Sequence, residues 1–129
     1  MQIVSTLKAP QAIGPYSQAV LTGNTLYISG QIAINPETGE LVQDNITAET
    51  RQIMNNIEAI LEEVRYGFIN VVKTTIYTTD IKNFDAINAV YADYFTGDYP
   101  ARSLVQVAAL PKGANVEIEI IAVRSAWRA

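Results

Sequence analysis

The run Val116-Glu117-Ile118-Glu119-Ile120-Ile121-Ala122-Val123 alternates with a period of two, so it reads as a strand with Val116, Ile118, Ile120 and Ala122 on one face. The other face carries Glu117 and Glu119 and then turns apolar at Ile121 and Val123. A strand apolar on both sides over half its length needs cover on both faces of its sheet. A chain of 129 residues has room for a single core. Few helices fit in such a chain, and they can cover one face only. The second face is therefore expected to be buried in a homo-oligomer, with the two glutamates at its border.

The rest of the chain supplies the other elements of one domain, residues 1–129, with no repeat or polar linker to divide it. Gly14-Pro15, Gly23-Asn24 and Asn35-Pro36-Glu37-Thr38-Gly39 mark turns. Ala19-Val20-Leu21 and Leu26-Tyr27-Ile28-Ser29 read as a hairpin opening the fold. From about Thr47 to Tyr66, Ile53, Ile57, Ile60, Leu61 and Val64 fall on one helical stripe. Glu49, Arg51, Glu58, Glu62 and Glu63 lie mostly opposite, and Gly67 is the expected stop.

Asn70 to Thr79, rich in Val, Thr, Ile and Tyr, reads as a central strand. A second helix follows, with Asn83 as its expected cap, Phe84, Ile87, Tyr91, Tyr94 and Phe95 as its stripe, and Gly97 as its end. Strands at Ser103 to Val107 and Val116 to Ser125 complete the order ββαβαββ. The expected fold is α+β, a sheet with two helices on one face.

Composition removes much chemistry. With no histidine and no cysteine there is no imidazole base, no thiolate nucleophile and no disulfide. A formal net charge of −4 disfavours nucleic acid as the main partner, since phosphate binding needs clustered cations. Lys73, Lys82 and Lys112 are scattered, and the closest basic pair, Arg124 and Arg128, is C-terminal. Met1 to Gly14 lacks the pattern of a secretory signal, and no window approaches the roughly 18 apolar residues of a membrane span. A cytoplasmic protein without membrane contact is expected.

Few residues remain for a site. Glu117 and Glu119 are either solvated carboxylates on an outer face or, for at least one, a water-orienting group in an intersubunit cleft. Arg102, after a proline turn, is either a surface residue or structural clamp, or else a bidentate carboxylate receptor. Tyr16, Ser29 and Gly30 sit in tight loops where glycine allows close approach, and the two side chains are either turn residues or pocket walls. Asn88, on the inner side of the second helix, ties the helix to a loop or contributes to a site indirectly.

Four ordered segments carry a resemblance: Ala12-Ile13-Gly14-Pro15-Tyr16-Ser17-Gln18-Ala19, Ile28-Ser29-Gly30-Gln31, Val72-Lys73-Thr74-Thr75, and Pro100-Ala101-Arg102-Ser103 with Leu110 and Val116-Glu117-Ile118. Together they resemble the Rid (YjgF-type) family, and within it the enamine/imine deaminases of the reactive intermediate deaminase A subgroup. The resemblance implies a chorismate-mutase-like domain, a homotrimer around a central barrel, and an active site in each intersubunit cleft. It implies hydrolysis of 2-imino acids such as 2-iminobutanoate and 2-iminopropanoate to 2-oxo acids and ammonia, with no cofactor. Arg102 would hold the substrate carboxylate and Glu117 would position water, while Tyr16, Ser29, Gly30 and Asn88 would shape the pocket.

Two departures from relatives stand out. Leu104 replaces a frequent cysteine, which removes any thiol role and is expected to alter pocket size. Arg65-Tyr66-Gly67-Phe68 replaces small residues in a connection expected to affect only the surface. Two other readings compete: a non-enzymatic binder of small carboxylates, in which Glu117 does no chemistry, and an RNA-directed translation inhibitor or ribonuclease, against which the acidic balance and absent histidine argue.

Overall fold

The computed structural model describes residues 1–125; Arg128 lies outside the described residues. Six strands form one sheet in the order β1-β2-β3-β6-β4-β5: β1 (Gln2–Val4), β2 (Ala19–Thr22), β3 (Thr25–Gln31), β4 (Val71–Thr78), β5 (Ala101–Gln106) and β6 (Val116–Val123). The last strand of the chain is thus central, between β3 and β4. β4 and β5 run parallel, and every other neighbouring pair is antiparallel. Two helices, α1 (Ile46–Glu63) and α2 (Phe84–Ala92), complete the fold.

The expected order ββαβαββ holds, preceded by β1, which at three residues is too short to show an alternating pattern. Gln18 pins the segment that follows it: its Oε1 accepts from the Thr6 N–H (2.7 Å) and its Nε2 donates to the Thr6 and Pro10 carbonyls (3.0 and 2.7 Å).

α1 begins where Asn45 Oδ1 accepts from the Ala48 N–H at 2.7 Å. Ile53, Ile57, Ile60 and Leu61 are fully buried against the sheet face formed by Leu26, Ile28, Ile76, Val116, Ile118 and Ile120. Each such side chain stabilises the fold by about 1.5–3 kcal/mol of burial.

The helix stops before Gly67. Arg65 takes the left-handed conformation (φ 62°), the Arg65 N–H donates to the Glu62 carbonyl (3.0 Å), and the Tyr66 N–H donates to that of Leu61 (2.9 Å). This hydrogen-bond pair closes the last turn with an arginine where glycine is usual. Tyr66 is not a surface residue: it is buried, and its hydroxyl donates to the Asn24 carbonyl at 2.6 Å.

Three further expectations are corrected. Asn83 does not cap α2 with its side chain; it lies in a short 3₁₀ turn whose cap is Asp80, accepting from the Lys82 N–H at 2.9 Å. α2 ends at Ala92, short of Gly97, and Tyr94 and Phe95 reach the core from the turn beyond it. Glu49 is also not on a solvated stripe. It is fully buried, and its carboxylate accepts from the Asn115 N–H (2.8 Å), Asn115 Nδ2 (2.9 Å) and the Val116 N–H (3.1 Å). The start of β6 is thereby fixed to α1.

Among the described residues, no helix covers the sheet face away from α1 and α2. Tyr27 is 48% exposed there, while Glu117, Glu119 and Ile121 are half-buried. No helix among the described residues is long and apolar enough to cross a membrane.

Candidate active site

Alternation along β6 decides where Glu117 goes. With Val116 and Ile118 buried against the helices, Glu117 must project from the uncovered face. There it meets β3 at a register irregularity between Ile28 and Gln31. Gly30 lies at that irregularity, beneath the Glu117 side chain: a Cβ on Gly30 would collide with Oε2 and stand 2.8 Å from Cδ. Glycine leaves room here for the Glu117 carboxylate, and it is that space rather than backbone freedom that the position uses.

Glu117 lines a cavity of about 520 Å³ together with Tyr16, Ser29, Gly30, Lys112 and Glu119. The structure thus brings four of the sequence-predicted residues, Tyr16, Ser29, Gly30 and Glu117, to one place. Burial raises the proton affinity of Glu117 above the usual carboxylate range, and the neighbouring Glu119 charge adds to the effect. Ser29 Oγ donates to the Ser17 carbonyl at 2.6 Å, so towards the cavity this hydroxyl can only accept. Tyr16, 51% exposed, stands at the mouth on a turn closed by its N–H donating to the Gly14 carbonyl (2.8 Å).

Arg102 and Asn88 are elsewhere. Arg102 pairs in register with buried Thr74 on the parallel strand β4, which turns its side chain to the helix side of the sheet. Its guanidinium stands 5.0 Å from the Tyr91 ring centroid and 5.9 Å from that of Phe84. The Tyr91 hydroxyl in turn donates to Thr74 Oγ1 at 2.9 Å, which fixes the ring. Arg102, Asn88, Tyr91 and Tyr99 line a second cavity of about 330 Å³. Asn88 Oδ1 is buried there with no hydrogen-bond partner among the described residues. Within one chain the two halves of the expected site therefore lie on opposite faces of the sheet.

Leu104 follows Arg102 on the helix side, in register with Ile76, and packs against the core. It lines neither cavity, so the expected change in pocket size is not seen in the chain.

Sequence reasoning missed Lys112 and the role of Gln18. Lys112 was counted only among the scattered lysines, yet Lys112 (φ 58°) and Gly113 (φ 71°) are both left-handed and set the lysine at the rim of the Glu117 cavity. The signal was a non-glycine residue forced into a Pro-x-Gly turn beside the site strand. Gln18 lay inside a quoted motif but carried no chemistry until its anchoring of the cavity wall at Pro10 was visible. Among the described residues, no three acidic side chains stand together as a metal-binding group.

The family model described as Endoribonuclease L-PSP matches residues 6–124. The human protein named 2-iminobutanoate/2-iminopropanoate deaminase is 49% identical over 123 residues, covering 95% of this chain and 90% of its own length. RidA from the Antarctic bacterium Psychrobacter sp. superposes with a TM-score of 0.93 at 47% identity, covering 96% of this chain and all of its own. E. coli TdcF with bound serine superposes with a TM-score of 0.93 at 41% identity, covering 97% of this chain and all of its own. On motif order, end-to-end identity and superposable fold alike, the chain belongs to the family described as Endoribonuclease L-PSP, which is the Rid family.

Proposed function

We propose that this protein hydrolyses 2-iminobutanoate and 2-iminopropanoate to the corresponding 2-oxo acids and ammonia, as a cytoplasmic homotrimer whose sites form where subunits meet. The single observation that carries the reading is the Glu117 carboxylate folded over Gly30 in a cavity, half removed from water, in a chain 49% identical to a protein named for this reaction.

The chemistry needs few groups. An imine carbon is already electrophilic, so holding it beside an oriented water lowers much of the barrier. Glu117 accepts a proton from water as the oxygen bonds to C2 and the C=N electron pair moves to nitrogen. The protonated Glu117 then delivers that proton to the amine nitrogen of the tetrahedral adduct. Glu117 next takes the hydroxyl proton of that adduct and passes it to the same nitrogen as the C–N bond breaks, so that C=O forms, NH₃ leaves and the carboxylate is regenerated. A carboxyl with raised proton affinity suits both halves, because it must take a proton and return it. Ser29 Oγ, restricted to accepting, is suited to the N–H of the substrate.

Arg102 holds the substrate carboxylate through its guanidinium fork. Its stacking on Tyr91 keeps the fork in place, and buried Asn88 Oδ1 waits beside it for a donor. Arg102 and Glu117 sit on opposite faces in one chain, so this reading takes Arg102 from one subunit and Glu117 from its neighbour. The bare sheet face with Tyr27 and Ile121 supports the trimer, since apolar area of that kind is stabilised by burial against copies. That E. coli TdcF carries bound serine, an amino acid with the same carboxylate group, supports a carboxylate ligand.

A dehydratase-coupled assay of ammonia release tests the reading. Purified protein accelerates release, Glu117→Gln loses roughly 10²–10⁴-fold in kcat, and Arg102→Lys raises KM. Release at the uncatalysed rate with wild-type protein overturns it and leaves a carboxylate binder. RNA cleavage abolished by Glu117→Gln would instead favour a ribonuclease.

A further inference from the structure

Glu117 is not the only acid at its cavity. Glu119, two residues along the same strand, projects from the same face and lines the same 520 Å³ space. β4 places Tyr77 in register with Glu117 and Thr75 in register with Glu119. The Tyr77 hydroxyl does not engage the residue opposite; it reaches diagonally and donates to Glu119 Oε1 at 2.7 Å. Tyr77 therefore stands between the carboxylates and ties down only one of them.

We propose that Glu119, fixed by Tyr77, is a positioning residue that acts on the reaction through Glu117, by holding a second negative charge against the same cavity. The proposal rests on Glu117 as the proton carrier of the reaction above. Two carboxylates on one strand face repel, and the one with a hydroxyl donor keeps its charge more readily than the one without. Glu119 has the donor and Glu117 has none among the described residues, and it is Glu117 whose proton affinity rises. The Tyr77 phenol, held by Glu119, is itself pushed up to about 12 and stays a donor throughout the working range.

Other groups face Glu117. Tyr16 comes from the N-terminal segment, Lys112 from the turn before β6, and β3 contributes only Ser29, Gly30 and Gln31, which do not titrate. Lys112 carries the opposite charge, yet the direction of the Glu117 shift is set by burial and then by Glu119. Lys112 is exposed and screened by solvent, whereas Glu119 is half-buried and tethered.

The test follows the Glu117 side-chain carboxyl carbon by NMR in ¹³C-labelled protein, assigned by its loss in Glu117→Gln, with imine hydrolysis measured in parallel. Glu119→Gln, which keeps the shape and an acceptor for Tyr77, is expected to lower the Glu117 midpoint. Tyr77→Phe is expected to lower it by less. Above neutral pH, Glu119→Gln is expected to lose about two- to tenfold in kcat while KM stays within about twofold. A merely structural role would lower the folded fraction and leave the midpoint in place. Either variant alone gives the readout, so the proposal stays testable if the other fails to fold. An unmoved midpoint in a folded variant overturns it. Loss of the imine reaction in wild-type protein with the midpoint shift intact would count against the proposed reaction and not against the coupling.

Discussion

Arg102 and Glu117 stand on opposite faces of one sheet, Arg102 in register with buried Thr74 and Glu117 in register with half-buried Tyr77. No side-chain rotation brings them together within a chain. If the site is built from two subunits, two inactive variants complement each other. Co-expressed Arg102→Ala and Glu117→Gln subunits, assorting at random in a trimer, form intact sites at about one interface in four. The expected result is about a quarter of wild-type activity in the mixture and almost none in either parent. Mixed trimers without activity would place the two residues in separate functions.

Gly30 makes a second test possible without touching a charged group. In Gly30→Ala the new methyl occupies the space of the Glu117 carboxylate, which must swing away. The carboxylate is the end of a flexible side chain, so the fold is expected to lose no more than about 2 kcal/mol, within the range of small overpacking changes. Activity is expected to fall at least about tenfold, because a positioned acid–base group contributes about 10²–10⁴-fold. Urea unfolding and steady-state rates on one preparation separate these effects. Equal losses in both would make Gly30 a packing residue only.

The sheet and the main helix were legible because Ile53, Ile57, Ile60 and Leu61 keep one period, and Val116, Ile118, Ile120 and Ala122 keep another. Where the reading failed, tertiary contacts overrode local signals. Gly67 was the residue expected to stop α1, but Arg65 stops it, since its carbonyl then receives Arg124 Nη1 at 2.7 Å and Arg124 covers the Tyr66 ring at 4.5 Å. Glu49 fell on the charged side of the helical wheel, and only the arrival of Asn115 and Val116, more than sixty residues later, gives it donors. In the site, Glu117 and Gly30 were both named, but their collision course depends on strand register, which no single segment carries. The separation of Arg102 from Glu117 was invisible for the same reason: parallel pairing of β4 with β5 fixes the face on which Arg102 lies.

The raised proton affinity of Glu117 has a consequence for stability. A carboxyl that titrates higher when folded than when unfolded contributes stability that is complete below the unfolded value and is lost as pH rises through the folded one. Between those points the folded state holds more protons, so stability falls with rising pH. At neutral pH Glu117 is thus a cost to the fold, caused first by desolvation and then by Glu119. Glu117→Gln is expected to melt at a higher temperature than wild type at pH 8, with the gap closing on acidification towards pH 4. The same Tm at both pH values in the two proteins would show that burial of this carboxyl is not felt by the fold.

Glu49 makes the opposite prediction. Its carboxylate is fully buried and satisfies three N–H donors at the head of β6, the strand that carries both Glu117 and Glu119. In Glu49→Ala the Asn115 and Val116 N–H groups lose their acceptor inside the protein, and each buried orphan costs about 1–3 kcal/mol. The expected loss is roughly 3–5 kcal/mol of unfolding free energy once the vacated volume is included. Glu49→Gln keeps one acceptor oxygen but turns an NH₂ towards a donor, so it is expected to recover less than half of that. Urea denaturation at neutral pH reads both, with an unchanged m-value certifying that the unfolded state is the same. A loss below about 1 kcal/mol for Glu49→Ala would mean that water enters to replace the carboxylate, and the head of β6 would then be held by its strand partners alone.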